Sequence, residues 1–275
     1  MKRKTQKRAA YCVLGIVACA MVMILVVAMA DWTYAHATDP LLYSVETFDE
    51  DIRDFLNPEL DYLILVNEEH PYDFGGYQAQ VLEESLISVP DVYGEATKVE
   101  DATYIAFTKL QAALAEQGVI IGLFSAYRTY EDQQWVCDNY GNVNKVMPPG
   151  CSEHHTGLMI NYLVWHQFIG EDGVVWGTIT PERLEADPEL QFIYQIICDN
   201  LADYGFIERY PYDGEPSTGV PHEPYEIRFV GDAYTAHDIM DGDYTLEEYL
   251  YPEDYLYPEE YSDVDVYLAP EDYPD

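Results

Sequence analysis

The segment PPGCSEHHTGLMIN at residues 148–161 decides the fold prediction, because its polar side chains lead directly into an apolar strand. His154 follows a turn-rich stretch with two prolines, and residues 158–164 are apolar enough to form a strand. A histidine at this point, with Asn161 seven positions later, forms a plausible pair of metal ligands. The ordinary alternative is a surface loop, since a neutral amide supplies little charge to a zinc ion.

A second polar segment, SAYRTYEDQ at residues 125–133, follows a predicted buried strand at 119–124. Arg128 therefore lies at a strand end, where its guanidinium group can hold a carboxylate with two hydrogen bonds. The alternative is a structural arginine that pairs with one of the many local acids.

A third polar segment, HEPYEIRFVG at residues 222–231, contains a predicted strand at 225–230. Glu223 precedes this strand as a general base would, and Glu226 is a candidate oxygen ligand. In a chain with 51 acidic residues, these two glutamates are also explained as ordinary surface groups.

Helical and strand patterns mix along the chain without the regular alternation that a parallel sheet requires. Apolar spacing and glycine caps predict the helices, and short apolar runs predict the strands. The predicted helices cover residues 99–117, 130–140 and 188–204, and a further strand is predicted at 62–67. We therefore expect an α+β domain with a mainly antiparallel sheet flanked by helices.

The N-terminal sequence has the pattern of a membrane anchor. Five of the 13 basic residues lie in the first eight positions, and residues 11–30 contain no charge. A helix of that length reaches about 30 Å, the thickness of a bilayer core. We predict a basic cytoplasmic stub (1–10), a transmembrane helix (11–30) and an extracellular C-terminal domain at the cell membrane. The alternative is a secreted protein, with a signal cleaved near Ala35-His36-Ala37.

The charge of the chain changes sharply after the apolar segment. Residues 31–275 contain 8 basic and 51 acidic residues, a net charge of −43. Such a chain repels phosphate backbones, so we expect no nucleic-acid partner. We predict an acidic stalk at 31–60, a folded domain at 61–250 and a disordered, acidic, Tyr- and Pro-rich tail at 251–275. A structural or adhesion role that uses this tail remains an alternative.

Three cysteines follow the apolar segment, namely Cys137, Cys151 and Cys198. In an oxidising compartment Cys137 and Cys151 could pair across the loop between them, which would leave the third cysteine free.

Taken in order, several segments resemble the VanY-like D-alanyl-D-alanine carboxypeptidases, zinc peptidases of bacterial cell-wall metabolism. The resemblance runs from about residue 61 to 250, through YLILVNEEHP, SAYRTYEDQ, PPGCSEHHTGLMIN, YGFIERYP and HEPYEIRFVG. It implies the Hedgehog/DD-peptidase fold, preceded here by the transmembrane helix. It also implies that peptidoglycan stem peptides are the partners of the domain.

The resemblance assigns a metal site in which two of three positions are substituted. The family pattern is Ser-x-His-x-x-Gly with an Asp seven residues after the His, then Glu-Pro-Trp-His, and the two His and the Asp bind zinc. In this chain His154 matches, whereas Asn161 stands at the Asp position and Glu226 at the second His position. A set with one imidazole and one neutral amide should hold zinc far less tightly.

The other functional residues of the family pattern are retained. Glu223 matches the catalytic base, and Arg128 and Ser152 match the residues that hold the terminal carboxylate of the substrate. Three further histidines would replace the missing ligands if the fold turned them inward, namely His155, His166 and His222.

Two hypotheses about activity follow. In the first, the protein uses zinc to release the terminal D-alanine of stem peptides. In the second, it is a catalytically impaired pseudoenzyme that binds stem peptides in a wall-facing role. We expect substoichiometric zinc in the purified protein, because the ligand set is weakened.

Overall fold

The computed structural model describes residues 52–141 and 146–255. Seven strands are present in these ranges: β1 Leu86–Pro90, β2 Ala96–Glu100, β3 Ile121–Ser125, β4 Met159–His166, β5 Val175–Gly177, β6 Phe206–Glu208 and β7 Glu226–Phe229. Nine α-helices accompany them in the same ranges: α1 Tyr77–Ser85, α2 Asp101–Glu116, α3 Tyr130–Tyr140, α4 Pro181–Ala186, α5 Pro188–Leu201, α6 Glu215–Thr218, α7 Ala233–Asp241, α8 Leu246–Leu250 and α9 Pro252–Tyr255.

The strands form an entirely antiparallel arrangement in the described part of the chain. β1 and β2 form a hairpin, and the main sheet has the order β3-β4-β7-β6, with β5 also paired to β4. β4 is the central strand, and all but one of its eight residues are buried. The predicted α+β class with an antiparallel sheet is therefore confirmed.

The helices that were predicted from apolar spacing occur close to the expected positions. α3 has the predicted bounds, and Thr129 caps it in a reciprocal capping box with Asp132. The predicted helix at 188–204 ends as α5 at Leu201 and continues as one 3₁₀ turn. Gly205 follows at φ 74°, a conformation that favours glycine.

The predicted strand at 62–67 is wrong, since the segment pairs with none of the described strands. Its backbone groups bond to side chains instead: Val66 N donates to Glu153 at 3.2 Å, and Ile64 O accepts from Arg228 at 2.9 Å. Leu65 and Val66 are buried. Residues 62–67 are therefore apolar because this irregular segment packs into the protein interior, and not because it forms a strand of the sheet.

Both ends of the predicted domain include additional packed residues. Phe55 and Leu56, near the end of the predicted stalk, pack against the hydrophobic core. Pro252–Tyr255, at the start of the predicted tail, forms α9, and Tyr255 donates a hydrogen bond to Glu69 at 3.4 Å. The rest of the predicted tail lies outside the described residues.

Two further expectations concern the membrane anchor and the disulfide. None of the described helices is long and apolar enough to cross a bilayer, and the predicted span at 11–30 lies outside the described ranges. Cys137 and Cys151 are free thiols, contrary to the disulfide hypothesis, and the Cys137 thiol instead donates to Met147 O at 3.3 Å.

Candidate functional site

The pairing of β4 with β7 brings two of the three candidate ligand positions together. Asn161 and Glu226 are direct partners in this antiparallel ladder, so their side chains point to the same face of the sheet. Both side chains are buried, each with 7% exposure. Segments 65 residues apart in the sequence therefore converge on one spot.

His154 lies in a 3₁₀ turn, Glu153–Thr156, that leads into β4. Its Nδ1 contacts the carbonyl oxygen of Ala126, which requires a proton on Nδ1 and leaves a lone pair on Nε2. Nε2 lies 3.6 Å from Oε1 of Glu226. Burial lowers the pKa of His154, and the nearby Arg128 charge acts in the same direction. The contact with Ala126 therefore directs Nε2 toward Glu226.

Two of these three side chains have unpaired acceptor atoms. His154 Nε2 and the Asn161 side-chain oxygen are buried and have no hydrogen-bond partner among the described residues. Unpaired buried polar atoms are costly, so they mark a place for a missing partner. A divalent cation fits this set of one imidazole nitrogen and oxygens from an amide and a carboxylate.

The donor chemistry departs from that of the usual zinc sites. Within residues 52–141 and 146–255, no group of three or more His, Cys, Asp and Glu side chains is suited to a metal ion. The candidate site has three ligands only if the amide oxygen of Asn161 is counted together with His154 and Glu226. Catalytic zinc sites are built from His, Cys and Glu, so a neutral amide in one position weakens zinc binding.

Arg128 extends from the loop after β3 and is held by hydrogen bonds to its side chain and its backbone. Its Nε donates to Ser125 at 3.3 Å and its Nη1 donates to Gln133 at 3.2 Å. Its backbone N donates to the carbonyl of His154 at 3.0 Å. Burial lowers the pKa of Arg128, while the carboxylates of Glu226 and Glu223 raise it, and an arginine in this setting stays charged.

Glu223 lies in the loop before β7, where its backbone N donates to the carbonyl of Tyr210 at 3.2 Å. Its carboxyl group interacts electrostatically with Glu226 and lines the same cleft as Tyr225, the residue at the Trp position of the family pattern. Burial and the negative charge of Glu226 raise the pKa of Glu223 well above its usual range. A proton shared between these two glutamates explains how they lie side by side.

All six predicted site residues line one cleft of about 200 Å³. They are Arg128, Ser152, His154, Asn161, Glu223 and Glu226. Arg128 is the one cationic side chain among the described residues that line it. The cleft therefore brings together one arginine, the nitrogen and oxygen atoms of the three candidate ligands, and the carboxyl group of Glu223.

None of the three histidines considered as replacement ligands lines this cleft. His155 hydrogen-bonds to the carbonyl of Arg128 at 2.8 Å and accepts from the Gly150 N–H at 3.0 Å. His166 contacts Asp187 at 3.2 Å, and His222 contacts Glu208 at 2.9 Å. The idea that one of them completes the metal site is therefore wrong for this structure.

A buried ionic network supports the turn that carries His154, and sequence reasoning missed it. Glu153 accepts from Arg228 at 2.7 Å and from Arg209 at 3.2 Å, and Arg209 pairs with Glu247 at 2.7 Å. Each of these four side chains is at most 1% exposed. The sequence does not show that Glu153 is buried, because it is one of 51 acidic residues. Arg209 and Arg228 are among the few basic residues of the chain, but nothing in the sequence pairs them with Glu153.

Gln133 is a second residue that sequence reasoning did not single out. It is 1% exposed, accepts from Arg128, and donates to the carbonyl of Met147 at 2.7 Å. It therefore fixes the direction of the guanidinium group. Its only sequence signal was its place on α3, five residues after the arginine.

Comparison with known proteins adds an independent line of evidence. The VanY family model, D-alanyl-D-alanine carboxypeptidase, matches residues 96–232. The putative carboxypeptidase YodJ of Bacillus subtilis (strain 168) is 30% identical over 206 residues, which cover 70% of this chain and 68% of YodJ.

Two similar solved structures hold ligands. A variant of the D,D-pentapeptidase VanY from a VanB-type vancomycin resistance cassette, in complex with Zn(II), is 26% identical with a TM-score of 0.51. The match covers 69% of this chain and 98% of that one. VanYB in complex with D-alanine-D-alanine is 26% identical with a TM-score of 0.52, over 70% of this chain and 98% of that one.

Proposed function

Because the chain belongs to the VanY family of D-alanyl-D-alanine carboxypeptidases, we propose that its cleft binds peptidoglycan stem peptides and releases their terminal D-alanine when a divalent cation is bound. One observation carries this proposal. The substrate anchor, the three ligand positions and the candidate base, which come from three separate segments, all line a single cleft.

The substrate is held at its C-terminal end. Arg128 pairs with the terminal carboxylate of the peptide, and the hydroxyl of Ser152 donates a further hydrogen bond to it. The net charge of −43 on residues 31–275 repels a peptide carboxylate that approaches the protein. Arg128 supplies the local positive charge that makes docking possible.

The acid–base step belongs to Glu223. With a cation present, its carboxylate takes a proton from the attacking water and passes it to the departing amine of D-alanine. Tyr225 lines the cleft together with Glu223 and restricts the space around its carboxyl group.

His154, Asn161 and Glu226 are the residues that would hold the cation. When bound there, it would supply Lewis-acid chemistry to the scissile carbonyl and to a water molecule. Its positive charge would also attract both Nε2 of His154 and Oε1 of Glu226, which face each other at 3.6 Å.

The second candidate function is a binding protein that does not cut. It is favoured by the substitutions Asn161 and Glu226, because the cation is held by one imidazole only. In this case the Arg128 anchor still recognises the peptide terminus, and binding persists without hydrolysis.

One experiment distinguishes the two functions. The full chain is incubated with a pentapeptide that ends in D-Ala-D-Ala, under increasing zinc or manganese and with a chelator control, and released D-alanine is measured. Metal-dependent release that stops in Glu223→Gln supports the hydrolase. Peptide binding without release at any metal concentration supports the binding protein, and loss of both overturns the proposal.

We also propose that the domain faces the cell wall from the outer side of the membrane. The motivation is the charge pattern of residues 1–30, with its basic cluster before an uncharged run. Labelling of the intact cell surface with an antibody against the folded domain tests this topology. A signal that appears only after the cells are permeabilised would contradict it.

A further inference from the structure

His222 directly precedes the candidate base Glu223, and its side chain is tied to two other elements of the fold. Its Nε2 lies 2.9 Å from Oε1 of Glu208 on β6 and 3.0 Å from the hydroxyl of Tyr194 on α5. Glu223 lines the cleft, whereas His222 is absent from the described residues that line it. His222 therefore joins the segment that carries the base to parts of the protein outside the cleft.

The hydrogen bonds of this cluster converge on one carboxylate. The Tyr194 hydroxyl also donates to Oε1 of Glu208. A carboxylate only accepts hydrogen bonds, so Nε2 of His222 carries the proton and donates it to Glu208. The side chains of His222 and Glu208 are only 12% and 14% exposed, which limits competition from water. A bond between a ring N–H and a carboxylate in this setting belongs to the stronger class of protein hydrogen bonds.

The residue on the other side of Glu223 is anchored as well. The carbonyl of Pro224 accepts from the Tyr162 hydroxyl at 2.7 Å. Between the two anchors, the backbone N of Glu223 donates to the carbonyl of Tyr210 at 3.2 Å. Glu223 thus lies between two neighbours that are each held by a side-chain hydrogen bond, so its own backbone has little freedom to shift.

We propose that His222 is a positioning residue for Glu223, which it serves by fixing the backbone of the base through the hydrogen bond to Glu208. The inference rests on the proposed function, which gives Glu223 the acid–base step. The family pattern Glu-Pro-Trp-His begins at the position of Glu223, so His222 lies outside it. A catalytic group that is displaced by about 1 Å loses about 100-fold in rate, so a loosened Glu223 has a measurable cost.

Kinetics of D-alanine release from a pentapeptide by the metal-loaded full chain provide the first test. In His222→Ala, kcat should fall about tenfold, while KM should stay as in the parent because the Arg128 anchor lies on another segment. His222→Gln should restore most of kcat, since its amide nitrogen donates from a similar position. His222→Phe, which keeps a ring but has no donor, should behave like His222→Ala.

A second histidine provides the matched control. His237 contacts Asp203 at 2.8 Å, in a histidine–carboxylate pair whose histidine is 45% exposed. It is absent from the described lining of the cleft. His237→Ala should therefore leave both kcat and KM unchanged.

A double-mutant cycle tests whether His222 acts through Glu208. Glu208→Ala should lower kcat by about as much as His222→Ala. The double variant should be no slower than either single variant, because both remove the same hydrogen bond. Losses that add in the double variant would show that the two residues act independently, and the proposed route through Glu208 would be wrong.

Hydrogen exchange provides a readout that needs neither metal nor hydrolysis. The backbone N–H of Glu223 reports directly on the fixed segment, since it is bonded to Tyr210. In His222→Ala its exchange should be about tenfold faster, because local opening of the segment costs less free energy. In His222→Gln and His237→Ala its exchange should match that of the parent.

The possible results separate this inference from the proposed function. If the parent releases D-alanine and His222→Ala is equally fast, the positioning role is overturned and the proposed function stands. A loss that is accompanied by a higher KM, or that His222→Gln does not rescue, also overturns it, since both describe general damage to the fold. If the parent releases no D-alanine with any cation, hydrolysis fails as the function. Hydrogen exchange then decides the positioning claim: faster exchange at Glu223 in His222→Ala supports it, and unchanged exchange overturns it.

Discussion

Asn161 and Glu226 face each other as direct partners across the ladder between β4 and β7. In the VanY pattern these two positions hold an aspartate and a histidine, so the single negative charge of the ligand set is kept but lies on the opposite strand. What is lost is one imidazole, replaced by an amide oxygen. The two substitutions therefore act as a pair, and neither reversion alone restores the family set.

The paired nature of these substitutions predicts a non-additive gain. Asn161→Asp combined with Glu226→His should raise zinc affinity by about 100-fold or more, because effects of even indirect ligand partners reach about that size. Release of D-alanine should rise with it. Asn161→Asp alone places two carboxylates opposite each other, and Glu226→His alone leaves the set uncharged, so each single variant should gain less. Equal gains for the single and double variants would contradict the pairing.

Arg128 should control recognition of the free carboxyl terminus. Arg128→Lys keeps the charge but loses the planar donor pair, so the dissociation constant of D-Ala-D-Ala should rise about tenfold. The C-terminal amide of the same dipeptide provides the control. The parent protein should prefer the acid to the amide, and the variant should show a smaller preference. An unchanged preference would place the carboxylate elsewhere.

The buried ionic network predicts a large loss of stability from one truncation. Glu153→Ala removes the partner of two buried arginines and should lower the free energy of unfolding by about 3–5 kcal/mol. Urea denaturation of the full chain measures it. The matched control is Glu185→Ala on the exposed face of α4, which should change stability by less than about 0.5 kcal/mol. Similar values for the two variants would show that the network contributes nothing.

Asp187 predicts a pH dependence of stability away from the site. It caps α5 by accepting from Glu189 N at 3.0 Å and Leu190 N at 3.2 Å, and it contacts His166. Burial opposes its ionisation, but the hydrogen bonds from His166 and from the helix N-terminus hold the pKa of Asp187 below its usual value. The folded state thus binds the proton less readily than the unfolded state.

The sign of that effect follows from linkage. The stability from Asp187 is fully present above the unfolded pKa of about 3.9 and is lost as the pH falls through the lower folded value. Asp187→Asn keeps the cap, since Asn and Asp cap equally well, and should make stability less steeply dependent on pH in this acidic range. Urea midpoints between pH 2.5 and 6 test it, and identical slopes for the two proteins would refute the assignment.

The sequence predicted the site better than it predicted the architecture around it. The motif residues Arg128, His154 and Glu223 were identified because their order along the chain carries information. The run at 62–67 was misassigned because an apolar segment buried by packing has the same composition as a buried strand. The partners of Glu153 could not be found, since a buried ion pair is defined by the fold and not by local sequence.

The most direct test of the cation site is a calorimetric titration of zinc into the metal-stripped full chain. The arrangement of His154, Asn161 and Glu226 predicts one weak site that leaves the purified protein substoichiometric in zinc, and that disappears in His154→Ala. Full zinc occupancy on purification, or an unchanged titration in His154→Ala, would contradict it.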